Sequence, residues 1–418
     1  MRRRGEKDKS NFGVETMGIF KFKKSEKYFL AIDLGTTTIK ILLFERKNPP
    51  KFLDKKLGLI NGNIVILKSF IQRLEPFGIF DSSFFETEVL KKAFLKAIKG
   101  VVSPSESEIN PKYAVLSFSA NILKSQIFFK SLKRKNPKEK IQKKEAESIT
   151  NNILTQAKKT ISQEFTQKTG ILAKDIHFLN LEVLEIKIDG YEVFRLVGFA
   201  GGHLNFRLIA TFLIKYELEK VKQIIQGLDF EILRIIDPAE NLVSAIGDKN
   251  LSGIFLDVGG EISKIVIIIN GKTQWISGFD GGGDNFSKTL SLALGMSRNE
   301  AENFKIKYAK KVLSEQVRER IKEILSKPTQ KWFNDLKFMF RKVQENLEIL
   351  PPSIFIFGGG SLLPEIQEIL STGDWEELPF LERPTVKFLL PNDLKNIEDS
   401  AKLLTSPQNI PSLLICYE

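Results

Sequence analysis

One cysteine, Cys416, and two histidines, His177 and His203, are all that 418 residues contain of the usual soft metal ligands. A lone cysteine excludes an internal disulfide and any multi-cysteine zinc site, and two histidines argue against a histidine-based metal centre. Apolar runs are strand-sized, so neither a transmembrane span nor a signal peptide is expected. There is no repeat of solenoid period and no low-complexity linker. The inventory is that of a cytosolic protein. The net charge is +12, yet no nucleic-acid module accompanies it, so no nucleic-acid partner is expected.

What is present is organised around glycine. Tyr28 to Ile32 and Ile39 to Phe44 read as strands, and Asp33-Leu34-Gly35-Thr36-Thr37-Thr38 between them reads as a tight hairpin turn. Glycine in such a turn lets backbone approach an anion, and successive threonine hydroxyls and amides suit phosphate oxygens. Asp33 at the strand end is placed to hold hydrated Mg²⁺. The same order returns at Ile254 to Lys264, where Asp257, Gly259 and Gly260 are followed by the apolar run Ile265 to Ile269. Gly358-Gly359-Gly360-Ser361 then follows the apolar strand Ile354 to Phe357 and precedes Pro364, a residue suited to a first helical turn.

The order of these segments resembles the two phosphate motifs and the adenosine motif of the actin-like ATPase superfamily, over nearly the whole chain from Tyr28 onward. Gly282-Gly283-Asp284 resembles the glycine pair that in this superfamily reaches the terminal phosphate. Ala301-Glu302-Asn303-Phe304-Lys305 resembles the helix that frames ribose and adenine, and Asp237-Pro238 stands where relatives carry an acidic-proline pair. The resemblance implies a bilobal α/β fold, duplicated and ribonuclease H-like, with ATP and Mg²⁺ in an interlobe cleft. Phosphates would meet Gly35, Thr36, Thr37, Thr38, Lys40, Gly259, Gly260, Gly282 and Gly283. Adenosine would meet Glu302, Lys305 and Gly358 to Gly360, and Asp33 with Asp257 would orient the metal through water.

Within the superfamily the segment after Asn110 is diagnostic. Tyr113 to Ala120 reads as a strand, Ala146, Ile149, Ile153, Ala157 and Ile161 fall at helical spacing, and strands are expected at Phe178 to Ile188 and Leu204 to Leu213. This order is similar to the inserted strand-helix-strand-strand subdomain of the FtsA and PilM branch. Asp189-Gly190 with Gly198 and Gly201 looks more like the FtsA form, whereas Leu196-Val197 stands where a proline is usual, which leaves PilM open. The implied division is a basic tail over 1–27, lobe one over 28–111 and 215–250, the insertion over 112–214, and lobe two over 251–418. Glu261, Ile262 and Lys264 stand where many relatives place Gly, Thr and Asp, so slow ATP turnover is expected, with nucleotide acting chiefly as an assembly ligand.

The resemblance implies protein partners: the tail of a division-ring protein for an FtsA-like adaptor, or a peptide of an inner-membrane protein for a PilM-like one, with self-association in the first case. Excess positive charge is concentrated in 1–27, where Met17 offers a second start, and in Lys130 to Lys144, read as a loop and helix start. Lysines beside Phe20 and Phe22 would give weak peripheral contact with anionic membrane. The ending Leu413 to Glu418 reads as a final strand or tail, unlike the basic amphipathic helix typical of FtsA-type proteins.

Overall fold

The structure, a computed structural model, describes residues 27–47, 63–74, 87–102, 109–228, 230–344, 347–399 and 401–417. The basic tail and its apolar-lysine segment at 19–24 lie outside the described residues.

Lobe one begins with β1 (Tyr28–Leu34), β2 (Thr38–Arg46) and β3 (Ile64–Arg73), followed by α1 (Thr87–Val101) and β4 (Tyr113–Phe118). The insertion then supplies β5 (Lys124–Lys133), α2 (Lys143–Thr169), β6 (Ile176–Ile188), β7 (Tyr191–Val193) and β8 (His203–Ile214). The chain returns through α3 (Lys215–Gln226), β9 (Glu231–Ile235) and α4 (Leu242–Ile246). Lobe two is built from β10 (Gly253–Val258), β11 (Ile262–Ile269), β12 (Lys272–Asp280), α5 (Gly283–Leu294), α6 (Arg298–Ala309), α7 (Glu315–Val343), β13 (Ser353–Phe357), α8 (Pro364–Thr372) and β14 (Thr385–Phe388). A short β15 (Ile397–Glu398) and α9 (Ile410–Ile415) close the described chain.

Two of the three sheets share one plan. The order β3-β2-β1-β4-β9 has two antiparallel pairings followed by two parallel ones, and β12-β11-β10-β13-β14 repeats it. Strands that accept parallel neighbours are covered on both faces and therefore read as continuous apolar runs. That is why Phe29–Leu34 and Ile254–Leu256 are buried throughout. The duplication extends to register: Asp33 sits opposite Lys40 in the first hairpin, and Asp257 opposite Lys264 in the second.

The insertion is a separate four-stranded sheet ordered β5-β8-β6-β7, with α2 packed on it through Ala146, Ile149, Ile153, Ala157 and Ile161, the five positions expected from helical spacing. Its tight turn puts both Asp189 (φ 49°) and Gly190 (φ 90°) in the left-handed region, which matches the twist of the flanking strands and favours this residue pair. Three expectations need correction. Tyr113–Phe118, expected as the first inserted strand, pairs in parallel with β1 in lobe one, and the insertion's first strand is Lys124–Lys133, whose last residues, Lys130 to Lys133, were expected in a basic loop. Lobe two does not keep the chain to its end, because β15 pairs with β3 and α9 packs on β1, β2 and β4. The ending is also a buried helix rather than a strand or tail, with Leu413, Leu414, Ile415 and Cys416 in one core with Phe29, Phe44, Phe255 and Val266. Among the described residues no helix is long and apolar enough to cross a membrane.

Candidate functional site

Both hairpin turns and the glycine run open onto one cleft of about 760 Å³ between the two lobes, within the size range of small-molecule sites. The first hairpin lines it with Asp33, Gly35, Thr36, Thr37, Thr38 and Lys40, and the second with Asp257, Gly259, Gly260, Glu261 and Lys264. Gly283 comes from the start of α5, Glu302 and Lys305 from α6, and Gly358, Gly359 and Gly360 from the turn after β13. The turns are built alike: Gly35 donates its N–H to Thr38 O at 2.9 Å, and Gly259 to Ile262 O at 3.1 Å. They also meet, since a Cβ added to Gly260 would lie 2.3 Å from Thr36 Oγ1.

Of the glycines expected there, Gly282 is absent from the lining. A Cβ on it would stand 2.4 Å from Gly260 O and 2.6 Å from Gly259 O, so its bare backbone serves packing against the second hairpin. The neighbouring amides are spent in the same contact: Gly283 N–H donates to Gly259 O at 2.9 Å and Asp284 N–H to Gly260 O at 2.8 Å. In the glycine run the roles divide. Gly358 adopts φ 86°, and a side chain there would strike Asp257; one on Gly360 would strike Val258. Gly359 has nothing within 4 Å of an added Cβ, so only it is bare toward open cleft.

Charge is arranged in linked pairs. Lys40 Nζ lies 3.1 Å from Asp33 Oδ2. Its symmetry-equivalent Lys264 turns instead to Asp237 at 2.6 Å, a fully buried carboxylate that also accepts from Ala239 N–H at 3.0 Å. The aspartate of the acidic-proline pair is therefore held by lysine, while Pro238 lines the cleft. No ion pair from Lys264 reaches Asp257. Burial first, then the nearby Asp33 and Asp237, push its carboxyl up to about 7 against the pull of Lys40 and Lys264. Glu261 is raised too, by burial and by Asp284, and accepts from Asn121 Nδ2 at 3.0 Å. Burial works against ionisation of Glu302, yet Lys305 at 2.7 Å and the Ser287 hydroxyl leave it below the usual carboxylate range. Lys305 also donates to Gly283 O at 2.6 Å and Ser287 Oγ at 2.8 Å, binding α6 to α5. The pair is thus a buried clamp rather than a surface contact.

Asp257 gives a pH prediction. A carboxyl raised in the folded protein binds a proton that the unfolded chain has already released, so its contribution falls as pH climbs from 3.8 toward about 7. The urea midpoint of Asp257→Asn is expected to decline less over that window than that of the wild type. Parallel pH profiles for the two proteins would contradict the assignment.

Sequence reasoning missed several lining residues. Ile306, Ala309 and Lys310 follow Glu302 on one face of α6 and its end, and helical spacing from Glu302 would have found them. Arg73 on β3 donates to Asn303 Oδ1 at 2.5 Å across the mouth of the cleft, and Ser406, Gln408 and Pro411 enter from the returning C-terminal segment. Those last contacts carry no local signal. Among the described residues no cluster of three acidic, histidine or cysteine ligands exists. Two carboxylates, Asp33 and Asp257, and a buried Thr36 hydroxyl without a hydrogen-bond partner fit a cation that keeps most of its own water.

The family model for Cell division protein FtsA matches residues 254–401, from the second hairpin through the glycine run to β15. Cell division protein FtsA of Streptococcus pneumoniae serotype 2 (strain D39 / NCTC 7466) is 19% identical over 368 residues, covering 82% of this chain and 73% of that protein. Among solved structures, the PilM-PilN type IV pilus biogenesis complex is similar with a TM-score of 0.62 at 13% identity, over 93% of this chain and 97% of that one. The fold is that of the actin-like ATPases, in the branch of FtsA and PilM. The FtsA family model covers residues 254–401, whereas the likenesses to the Streptococcus pneumoniae FtsA and to the PilM-PilN complex each extend over most of the chain.

Proposed function

We propose that the cleft binds ATP with Mg²⁺ and that the nucleotide governs how the protein joins a membrane-associated assembly. The observation that carries this is the convergence of a glycine-threonine turn, a glycine-glycine turn and an open Gly359 on one cleft, with the Thr36 hydroxyl unpartnered beside them. Gly35 to Thr38 and Gly259 to Gly260 would hold the phosphates, with Lys40 beside them. Asp33 and Asp257 would hold hydrated Mg²⁺, whose charge would draw phosphate oxygens into line. Glu302 and Lys305, fixed by their mutual ion pair, would support ribose and adenine against Gly358 to Gly360. Glu261 is held by Asn121 and flanked by Asp284, and a second carboxylate so close to polyphosphate disfavours rapid turnover. ATP then acts by stabilising one arrangement of the lobes.

The favoured assembly is an FtsA-like one at the division ring, because both sequence matches are to FtsA. A PilM-like pilus adaptor is the second reading, supported by the likeness in fold across the whole chain. Asp33→Ala with Asp257→Ala is expected to abolish calorimetric Mg-ATP binding in a protein that still folds; wild-type affinity would sink the cleft assignment. Removing 124–208 is expected to spare ATP binding, because it keeps Ile209 and Leu213 in the lobe cores, and to abolish assembly or partner recruitment. Normal pelleting of the shortened protein with its partner would reduce the insertion to decoration.

A further inference from the structure

The insertion joins the lobes at one end of its sheet, where Lys124 faces Phe212 and Ile176 faces Ile214, and β12 of lobe two also touches the sheet, Gln274 meeting Arg207 and Lys272 pairing with Glu192. Its opposite end, where Lys133 faces His203 and Ile188 faces Leu204, is about 30 Å away along a ten-residue strand. At that tip lie Lys133, Lys135, Lys138, Lys140, Lys143 and Lys144, all exposed, with Glu139, Glu145, Glu147 and Asp189 for counter-charge, the last already accepting from the Gly202 and His203 N–H groups. Glu145 is already engaged. Arg134 is buried and grips it at 2.8 and 3.0 Å, while donating to Glu139 O at 3.1 Å and Gly201 O at 2.9 Å.

The basic turn is thus fixed by a buried guanidinium rather than loosely solvated. Its placement also opposes local stability, since Lys143 and Lys144 occupy the first turn of α2, at the positive end of the helix dipole. A cluster of like charge held rigidly where the helix disfavours it calls for an external anion.

Apolar side chains stand beside it. Leu196 is buried as an anchor while Phe194, Val197 and Phe199 around it face solvent, Phe194 at 81% exposure. Phe194 makes an edge-to-face contact with Phe199 at 6.1 Å and lies 5.0 Å from the Arg195 guanidinium. The two segments are joined side by side: Ile141 N–H donates to Phe199 O at 2.8 Å, Gly198 N–H to Ile141 O at 2.9 Å, and Arg134 N–H to Gly202 O at 2.8 Å.

We propose that this tip docks on an anionic phospholipid surface, its lysines among the headgroups and Phe194, Val197 and Phe199 at the acyl boundary. Projecting aromatics beside a fixed basic cluster match a bilayer interface, which receives charge and apolar surface together. An acidic peptide would use the lysines and leave Phe194 in water. The inference is independent of what the cleft binds.

The test is co-sedimentation of the full chain with vesicles of phosphatidylglycerol and phosphatidylcholine, against phosphatidylcholine alone, over a salt series. Binding is expected only to the anionic vesicles and to fall with salt. Lys135→Gln, Lys138→Gln, Lys140→Gln and Lys143→Gln together should weaken it by at least roughly 30-fold, since each lysine contributes several-fold. Phe194→Ser with Phe199→Ser should weaken it about tenfold while keeping the salt dependence. Both variants should keep the wild-type melting temperature, and Lys158→Gln with Lys159→Gln on the same helix should bind normally. Removal of residues 1–26 separates the tip from the basic tail. Wild-type binding by the tip variants, or loss of all binding in the truncation alone, would overturn the proposal. Capture by poly-glutamate without vesicle binding would overturn it in favour of an acidic protein partner.

Discussion

Gly359→Val is expected to lower ATP affinity at least about 100-fold without changing the melting temperature, because its side chain enters open cleft and touches no protein atom within 4 Å at Cβ. The flanking glycines supply the contrast. At Gly358 an added Cβ lies 2.2 Å from Asp257 Oδ1 at φ 86°, and at Gly360 it lies 2.6 Å from Val258 Cγ1. Alanine at either should therefore destabilise the fold, by strain at the first and by crowding at the second. Calorimetric titration with Mg-ATP, paired with thermal melts, reads both effects. Wild-type affinity in a folded Gly359→Val protein would remove adenosine from the glycine run.

The largest stability effect is expected at Lys264. Replacing it with methionine leaves Asp237, fully buried, with a single backbone N–H in place of an ion pair at 2.6 Å. Breaking a buried pair from one side costs about 3–5 kcal/mol, whereas removing both charges costs far less. Asp237→Asn combined with Lys264→Met should accordingly recover much of the loss in urea denaturation. A single variant within about 1 kcal/mol of the wild type would show the pair to be incidental.

The contrast between Lys40 and Lys264 also marks what could be read from sequence. The two hairpins were legible because an acidic residue, glycines and flanking apolar runs are local signals, and the face of α2 was legible because five residues keep a 3.6-residue period. That Lys264 would leave its cross-strand position and bind Asp237 was not, since the partner lies in another lobe. Sheet membership failed for the same reason. Tyr113–Phe118 is plainly a strand, yet only tertiary pairing with β1 decides that it closes lobe one rather than opening the insertion. β5 was hidden by its lysines, which stand on an exposed edge strand and break the apolar alternation. α9 is six residues long and buried on every side, and such a run has no period to tell helix from strand. Within the cleft, motif residues were found by motif, and Arg73, Ser406 and Gln408, which arrive from elsewhere in the chain, were not.

The returning C-terminal segment bears on how the protein is made. β3 pairs with Ile397 and Glu398, and the Arg46 guanidinium donates at 2.8 Å to the carbonyl of Cys416, 370 residues later. On a ribosome, β1 to β3 must therefore wait for Ile397, Glu398 and α9 before their sheet gains its edge and its covering helix. Lobe two, whose strands β10 to β14 pair among themselves, can mature earlier on the face covered by α5 to α8, although Phe255 and Val266 on its other face also wait for α9. During that interval the unpaired side of β3 and the apolar face awaiting α9 are surfaces for a holding chaperone, and nascent chains arrested before Ile397 should stay protease-sensitive in the first lobe while the second is already resistant.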